Sequence, residues 1–386
     1  MAHIKHISDQ NPIYQVSPRI LSNIELAQSN IFSNNFISAF EFVRAVITQL
    51  RLGVAVPQDL QDLDAQIFSN QSFRAFVRYY TNLLQQQKYP EQAIPQVAVS
   101  LASRTMLVRA FPNPDHATRY VRDKVIGVVS RFPRTAKDIE RGRNRGDVLD
   151  PFILAATQYL IYQGEFEGAI AATVSHKALM MVEGLMGHLH EDVIGMMRGN
   201  VRVPEPRGRE KEDFDYELNP FPGADILQPP ATEHEKIAFH QIKSKTGSAK
   251  GGDGKRLGDQ LHFLAQHYDA DIYYDALVGN TLVGHRSKAG VERAAPSVRV
   301  LVGQAAFQHL TKSSYGASFL LRLYHEAFIA CAQESGYSVN EVTKGIVETF
   351  QSKATKADEG FLDTILISST NGIESEQDSL YFNKKV

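Results

Sequence analysis

The sequence predicts an α/β (α+β) fold, with a mixed central β-sheet flanked by helices and a large, mainly α-helical N-terminal part. Three observations indicate it. Apolar residues recur at helical spacing through the first two hundred residues. Between 236 and 303, short β-branched runs alternate with helical patterns, which is typical of a sheet covered by helices. Helical spacing then returns from 314 to 354.

The N-terminal part contains two amphipathic segments, 34–52 and 71–86, that we expect to be core-facing helices. Segment 148–162 is apolar on most sides, so we expect an inner helix there. Segment 175–198 predicts a helix pair or one interrupted helix, since it contains Gly184, Gly187 and Gly195.

A charged, proline-containing stretch at 201–223 separates these helices from the predicted sheet. The predicted strands lie at about 236–245, 271–278 and 298–302. The predicted helices that follow lie at about 255–266, from about 303, at 314–333 and at 340–354. We therefore expect a mainly helical region at 1–174 and a sheet-containing region at 175–386.

The amino-acid composition limits the classes of function that the chain can have. The 386 residues are 43% hydrophobic and 22% charged, with a formal net charge of −2, so any nucleic-acid binding must come from local basic patches. Cys331 is the only cysteine, which excludes an intramolecular disulfide and a cysteine-based zinc site. With no long apolar segment, the sequence predicts a cytoplasmic protein.

The most informative stretch is 221–258, where Asp225 follows a Pro-Gly pair and Gln241-Ile242-Lys243 follows sixteen residues later. A divalent cation prefers oxygen ligands, which an aspartate carboxylate and a glutamine carbonyl can supply. Side chains alternate along a strand, so Gln241 and Lys243 are expected on one face. A cation, an ammonium group and a phosphate could meet there.

The same residues also fit an ordinary edge strand whose polar end reaches solvent. Against this, Ala238, His240 and Ile242 form a second, mixed face, which predicts a strand buried on both sides. A buried lysine at the end of such a strand requires an anionic partner.

This order of helix, Asp225, Q-x-K strand, helix and strand resembles the catalytic core of the PD-(D/E)xK nuclease superfamily, and the helical preface resembles a type II restriction endonuclease. The resemblance covers about 177–302. It implies a metal-binding role for Asp225 and a catalytic role for Lys243. Gln241 stands where most members carry Glu or Asp, although some branches carry Gln. An amide oxygen is a weaker ligand than a carboxylate.

The superfamily also implies a third ligand from the preceding helix, and Glu183 is the best match. It is surrounded in sequence by apolar residues, where a lone carboxylate is costly unless it meets a cation. The alternative is a solvated helix residue. The metal set is thus Asp225, Gln241 and Glu183, with Mg²⁺ as the expected cofactor.

The resemblance implies a sequence-specific endonuclease that cuts double-stranded DNA, works as a homodimer and is paired with a DNA methyltransferase. Region 1–174 would then contribute to DNA recognition and dimerisation, and region 175–386 would form the catalytic core. Two alternatives remain, a structure-specific repair or recombination nuclease and a non-catalytic DNA-binding protein with a decayed site. A helical scaffold protein would not explain Asp225 and Lys243.

Two basic segments are candidate DNA contacts. The stretch 244–254 carries four glycines, but its spacing does not fit a phosphate-binding P-loop. The stretch 119–146 carries nine Lys or Arg against three acids. The alternatives are a flexible connector and a solvated charged loop. The predicted DNA-binding residues are Lys245, Lys250, Lys255, Arg256, Arg141, Arg143 and Arg145. The thirteen histidines lack metal-ligand spacing, so we expect no histidine metal centre.

Overall fold

A five-stranded mixed sheet organises the part of the chain that contains the predicted site. In this computed structural model the strands are β1 (Val201–Arg202), β2 (Ile226–Gln228), β3 (Ala238–Lys245), β4 (Asp271–Val278) and β5 (Arg299–Val302). Strands β1, β2 and β3 pair antiparallel, whereas β3, β4 and β5 pair parallel. The structure describes residues 4–31, 38–63, 67–68, 70–141, 149–204, 220–245, 253–279, 286–357 and 360–370. The predicted mixed α/β fold is confirmed at this level.

The helices before the sheet confirm a mainly helical first half. They are α1 (Pro18–Ser29), α2 (Ala39–Gln49), α3 (Phe73–Gln86), α4 (Ile94–Ala110), α5 (Pro114–Val129), α6 (Phe132–Arg141), α7 (Pro151–Leu160) and α8 (Phe166–Gly195). The helices within and after the sheet are α9 (Asp253–His267), α10 (Arg286–Ala294), α11 (Gln304–Thr311), α12 (Gly316–Ser335), α13 (Val339–Ala357) and α14 (Phe361–Thr370). In the described residues, no helix has the length and hydrophobicity needed to cross a membrane.

Contacts divide the chain into two compact units that are interleaved in sequence. The first comprises Met1–Val121 and Gly187–His325, and the second comprises Arg122–Met186 and Glu326–Val386. The sequence suggested a single boundary near residue 174. The sheet lies wholly in the first unit.

Both faces of β3 are covered, as its sequence predicts. Phe239 faces a core that includes Leu257, Leu261 and Leu264 of α9. On the opposite face, the ring of His240 packs near His309 of α11. The parallel β3 and β4 are joined through α9, which is the usual crossover for parallel strands.

Two helices differ from the sequence expectation. The segment expected as an interrupted helix or a pair belongs to the single 30-residue helix α8. The segment expected as an inner helix forms α7, which buries only Leu154 and Gln158 and leaves most of its apolar residues exposed. That prediction is wrong because apolar composition does not reveal whether a partner covers each face of a helix.

Candidate functional site

A tight turn sets the position of Asp225. The Ala224 N–H donates to the Phe221 carbonyl oxygen at 3.2 Å, which closes a four-residue turn with Pro222 at its second position. Gly223 occupies the third position with a φ of 78°, a left-handed conformation that glycine adopts without strain. The Pro-Gly pair therefore turns the chain just before Asp225, which directly precedes β2.

The structure brings Asp225 and Gln241 into direct contact. The Asp225 N–H donates to the His240 carbonyl oxygen at 2.7 Å, which continues the β2–β3 pairing by one residue. Its carboxylate Oδ2 accepts from the Ile242 backbone N–H at 2.7 Å and from the Gln241 side-chain amide. Asp225 and Gln241 are 8% and 6% exposed. A carboxylate in this position depends on these donors to offset the loss of water.

Lys243 lies two residues beyond Gln241 on β3, so strand alternation places both side chains on the same face. Gln241 pairs with Tyr274 and Lys243 with Ala276 of the parallel strand β4. Lys243 is half-buried rather than fully buried. Asp225 and Gln241 are thus in contact, and Lys243 lies at the next position on the Gln241 face of β3.

The amide of Gln241 has two possible orientations with different chemistry. In this structure the Nε2 group faces Asp225, and it also donates to the Ile242 carbonyl oxygen at 3.3 Å. Rotating the amide by half a turn exchanges nitrogen for oxygen. The oxygen can face the carboxylate favourably only if a cation lies between them, since two acceptors otherwise repel. Without a cation, the Gln241 amide can therefore donate a hydrogen bond to the Asp225 carboxylate. With a cation bound between them, the two side chains can each supply an oxygen ligand.

Arg202 of β1 adds a positive charge beside Asp225, which the sequence analysis missed. Its Nη1 donates to the Asp225 backbone carbonyl at 3.0 Å and lies 4.0 Å from carboxylate Oδ1. Its other nitrogens bind Glu191 at 2.5 Å and Asp192 at 3.1 Å, both on α8. Little in the local sequence indicates this position of Arg202, because β1 has only two residues and is positioned by its pairing with β2.

Glu183, the predicted third ligand, lies on α8 within the second compact unit, whereas Asp225, Gln241 and Lys243 belong to the first. It is exposed. Its role as a metal ligand stays a prediction. Glu191 and Asp192 are the acidic residues of α8 that pair with Arg202, the same arginine that lies beside Asp225.

The predicted DNA-binding residues are only partly described. Lys245 ends β3, Arg141 ends α6, and Lys255 and Arg256 lie in the first turn of α9. Lys255 forms an exposed ion pair with Asp259 at 2.7 Å. Lys250, Arg143 and Arg145 lie outside the described residues, as does most of the glycine-rich stretch.

Titratable groups on the opposite face of β3 form a second, fully buried cluster. His240 Nδ1 lies 2.8 Å from Asp275 Oδ2, and neither residue is exposed. The imidazole stacks on Tyr273 at 4.7 Å with an angle of 9° between the rings. Burial lowers the pKa of His240 and raises the pKa of Asp275, so both groups favour their neutral forms.

Among the described residues, no three His, Cys, Asp or Glu side chains are arranged to hold a metal ion. Asp225 and Gln241 therefore give a two-oxygen set that is incomplete without further donors such as water or backbone carbonyls.

No protein-family model matches this chain, and no curated protein is significantly similar to it in sequence.

Proposed function

We propose that this chain is a Mg²⁺-dependent endonuclease of double-stranded DNA, of the type II restriction kind, with a PD-(D/E)xK-like core. One observation carries the proposal: the Asp225 carboxylate contacts the Gln241 amide across β2 and β3, with Lys243 at the next position on the same face of β3. The mixed sheet, in which an antiparallel hairpin continues into parallel strands, supports the comparison with that core.

The donor set suits a hard divalent cation. The Asp225 carboxylate, the Gln241 carbonyl oxygen after rotation of its amide, and the Glu183 carboxylate are the proposed ligands. When bound, Mg²⁺ supplies Lewis acidity and lowers the pKa of a water nucleophile. Asp225 is held in place for this role by the Ile242 N–H, which donates to its carboxylate Oδ2 at 2.7 Å.

Lys243 is the proposed catalytic cation of the protein itself. Its ammonium group would orient the attacking water and offset the negative charge that builds up on the phosphate. An ammonium group on a half-buried strand position is less screened by water than a fully exposed lysine, which strengthens this electrostatic effect.

The basic residues at the end of β3 and the start of α9 are the proposed DNA contacts, because lysine and arginine supply most of the affinity for phosphate backbones. Lys245, Lys255 and Arg256 fall in this group. With one site per chain, a homodimer would cut both strands of a duplex in one binding event, and a restriction function implies a partner methyltransferase in the cytoplasm.

Plasmid and phage DNA incubated with Mg²⁺ or with a chelator test the proposal. A restriction enzyme gives discrete fragments with identical termini, whereas a smear or structure-dependent nicks indicate the repair or recombination alternative. Lys243→Ala and Asp225→Asn should each lower the cleavage rate by at least about 100-fold. Lys236→Ala, which removes an exposed lysine paired with Asp269, is the matched control and should cut at the parental rate.

A second candidate is a non-catalytic DNA-binding protein, and the surroundings of Asp225 favour it. The Gln241 amide donates to the carboxylate, and the Arg202 guanidinium lies 4.0 Å away, so charge compensation exists without a metal. Salt-sensitive binding of DNA with no cleavage in Mg²⁺ or Mn²⁺, and no calorimetric binding of either ion, would establish this function instead.

A further inference from the structure

Helix α7 presents an apolar face that nothing in the described structure covers. Phe152, Ile153, Tyr159 and Leu160 are 74%, 60%, 67% and 84% exposed. They lie at spacings of one, seven and eight residues, which places them on one side of a helix, with the exposed Ala156 at its centre. We call these five residues the α7 stripe.

Helix α7 cannot bury the α7 stripe by rotating about its own axis. Its opposite side already holds Leu154, which packs in the core of the second unit, and Gln158, whose amide donates to the Gly164 carbonyl at 2.7 Å. Asp150 fixes the N-terminus by accepting from the backbone N–H groups of Phe152 and Ile153. The stripe is therefore held outward by the packing of the other face.

The order of side chains in the stripe is symmetric about Ala156. Large apolar residues stand three and four positions before it, at Ile153 and Phe152, and three and four positions after it, at Tyr159 and Leu160. No residue from 151 to 164 is charged. Such a face is complementary to its own copy turned by a two-fold rotation, because an isologous contact pairs position +k with position −k.

We propose that the α7 stripe is the surface through which two copies of this chain associate, with the two helices antiparallel and the two-fold axis at Ala156. Phe152 then meets Leu160 of the other copy, and Ile153 meets Tyr159. The small Ala156 side chains let the helix axes approach closely at the crossing point. Antiparallel helices also place opposite ends of their dipoles together.

The exposed area is sufficient for a specific contact. Large side chains expose on the order of 150–250 Å² each, so the stripe presents roughly 600 Å² per chain and roughly 1,200 Å² across the pair, at the lower end of specific interfaces. An apolar patch of this size, uncovered by any of the residues that the structure describes, is typical of an interaction site.

Sedimentation velocity of the full chain over a micromolar concentration series tests the proposal, and it reads association rather than cleavage. The parent should form a dimer. Leu160→Glu should raise the dissociation constant by about 100-fold or more, since each dimer would bury two charges. Leu321→Glu, at a residue of α12 that is 69% exposed, is the matched control and should leave association unchanged.

Crosslinking tests the position of the axis. Cys331 is buried, so Ala156→Cys adds a single accessible thiol. On the proposed axis, the Cα atoms of residue 156 in the two copies lie about 4.4–6.8 Å apart, which is the separation that a disulfide requires. Mild oxidation should therefore give a covalent dimer, whereas Ser175→Cys, at an exposed position of α8, should remain largely uncrosslinked.

Three results would overturn the inference. These are a parent that stays monomeric throughout the series, a dimer as strong in Leu160→Glu as in the parent, and crosslinking of Ala156→Cys no faster than that of Ser175→Cys. None of them depends on nuclease activity. A protein that dimerises through α7 but cuts no DNA would contradict the proposed function and leave this inference standing.

Discussion

Asp225 and Gln241 are joined by a side-chain hydrogen bond across the antiparallel strands β2 and β3, and both side chains are nearly inaccessible to solvent. A glutamate at position 241 would face the same carboxylate with a second negative charge. Glutamine instead supplies a donor without a cation and an acceptor after rotation. The neutral residue therefore stabilises the site without a metal, and it would bind the proposed cation more weakly than a glutamate would.

The substitution Gln241→Glu should make this trade-off measurable. In chelator at neutral pH, the variant should lose about 1–3 kcal/mol of unfolding free energy, because two buried carboxylates repel. The introduced carboxyl has a raised folded-state pKa, so the loss should grow as pH rises through about 4.3 and should be small below it. Mg²⁺ should restore stability and bind more tightly than to the parent, as read by calorimetry.

Gln308→Glu is the matched control, because Gln308 is exposed on α11 and its replacement should change neither stability nor cation binding. Equal stability of Gln241→Glu in chelator and in Mg²⁺, together with unchanged cation affinity, would contradict a metal-binding role for this pair.

Removing the guanidinium of Arg202 should destabilise the first unit. Arg202, Glu191 and Asp192 form ion pairs whose side chains are at most one-quarter exposed. Arg202→Met should cost about 2–4 kcal/mol, because it leaves carboxylates in a poorly solvated place without their shared cation. Arg44→Met removes an exposed helical pair with Glu41 and should cost less than about 0.5 kcal/mol. Denaturant titrations that show equal losses for the two variants would count against the buried network.

Part of the sheet and of the site around Asp225 could be predicted from the sequence. The strand predicted at 271–278 matches β4 residue for residue, and the one predicted at about 236–245 differs from β3 by two residues at its start. Both strands have eight residues and contain several buried apolar or aromatic side chains, so local sequence is enough to identify them. The Pro-Gly pair before Asp225 was visible in the sequence, and the structure shows that it forms a turn in which Gly223 takes a left-handed conformation.

The remainder could not be predicted, for two physical reasons. Strand β1 has two residues and no periodicity of its own, so the position of Arg202 beside Asp225 depends on tertiary pairing. Helix α7 has an apolar pattern that identifies a face but does not specify what covers it. In both cases the missing information is long-range contact.

Glu183 can be tested as a third ligand without disturbing the fold. It is exposed on α8, so Glu183→Gln should change the unfolding free energy by less than about 0.5 kcal/mol. If it binds the metal, the cleavage rate should fall by at least about 100-fold. Glu167→Gln, an exposed glutamate on the same helix, should cut normally. Parental cleavage by Glu183→Gln would exclude Glu183 and direct the same experiment to Glu191.

The buried pair of His240 and Asp275 should give the protein an identifiable pH dependence. Burial lowers the pKa of His240, helped by the charge of Lys312, and raises the pKa of Asp275. Tyr273 and His309 are the other titratable groups that pack on the imidazole. In the neutral forms that burial favours, the folded pair holds one proton, on Asp275. Between about pH 4 and 6.5 the unfolded chain also holds one, on His240, so this pair adds no slope there.

Asp275→Asn removes the equality between the numbers of protons that the folded and unfolded states bind. The folded variant carries no proton on the pair, whereas unfolded His240 binds one below about pH 6.5, so stability should fall as pH drops, by up to about 1.4 kcal/mol per pH unit. Once the unfolded parent has lost its His240 proton, above about pH 6.5, its stability should fall with rising pH for as long as folded Asp275 stays protonated, and the variant should show no such fall. Urea titrations across this range measure the slopes. Asp269→Asn, at an exposed carboxylate, should run parallel to the parent, and a parallel curve for Asp275→Asn would show that the buried pair carries no shared proton.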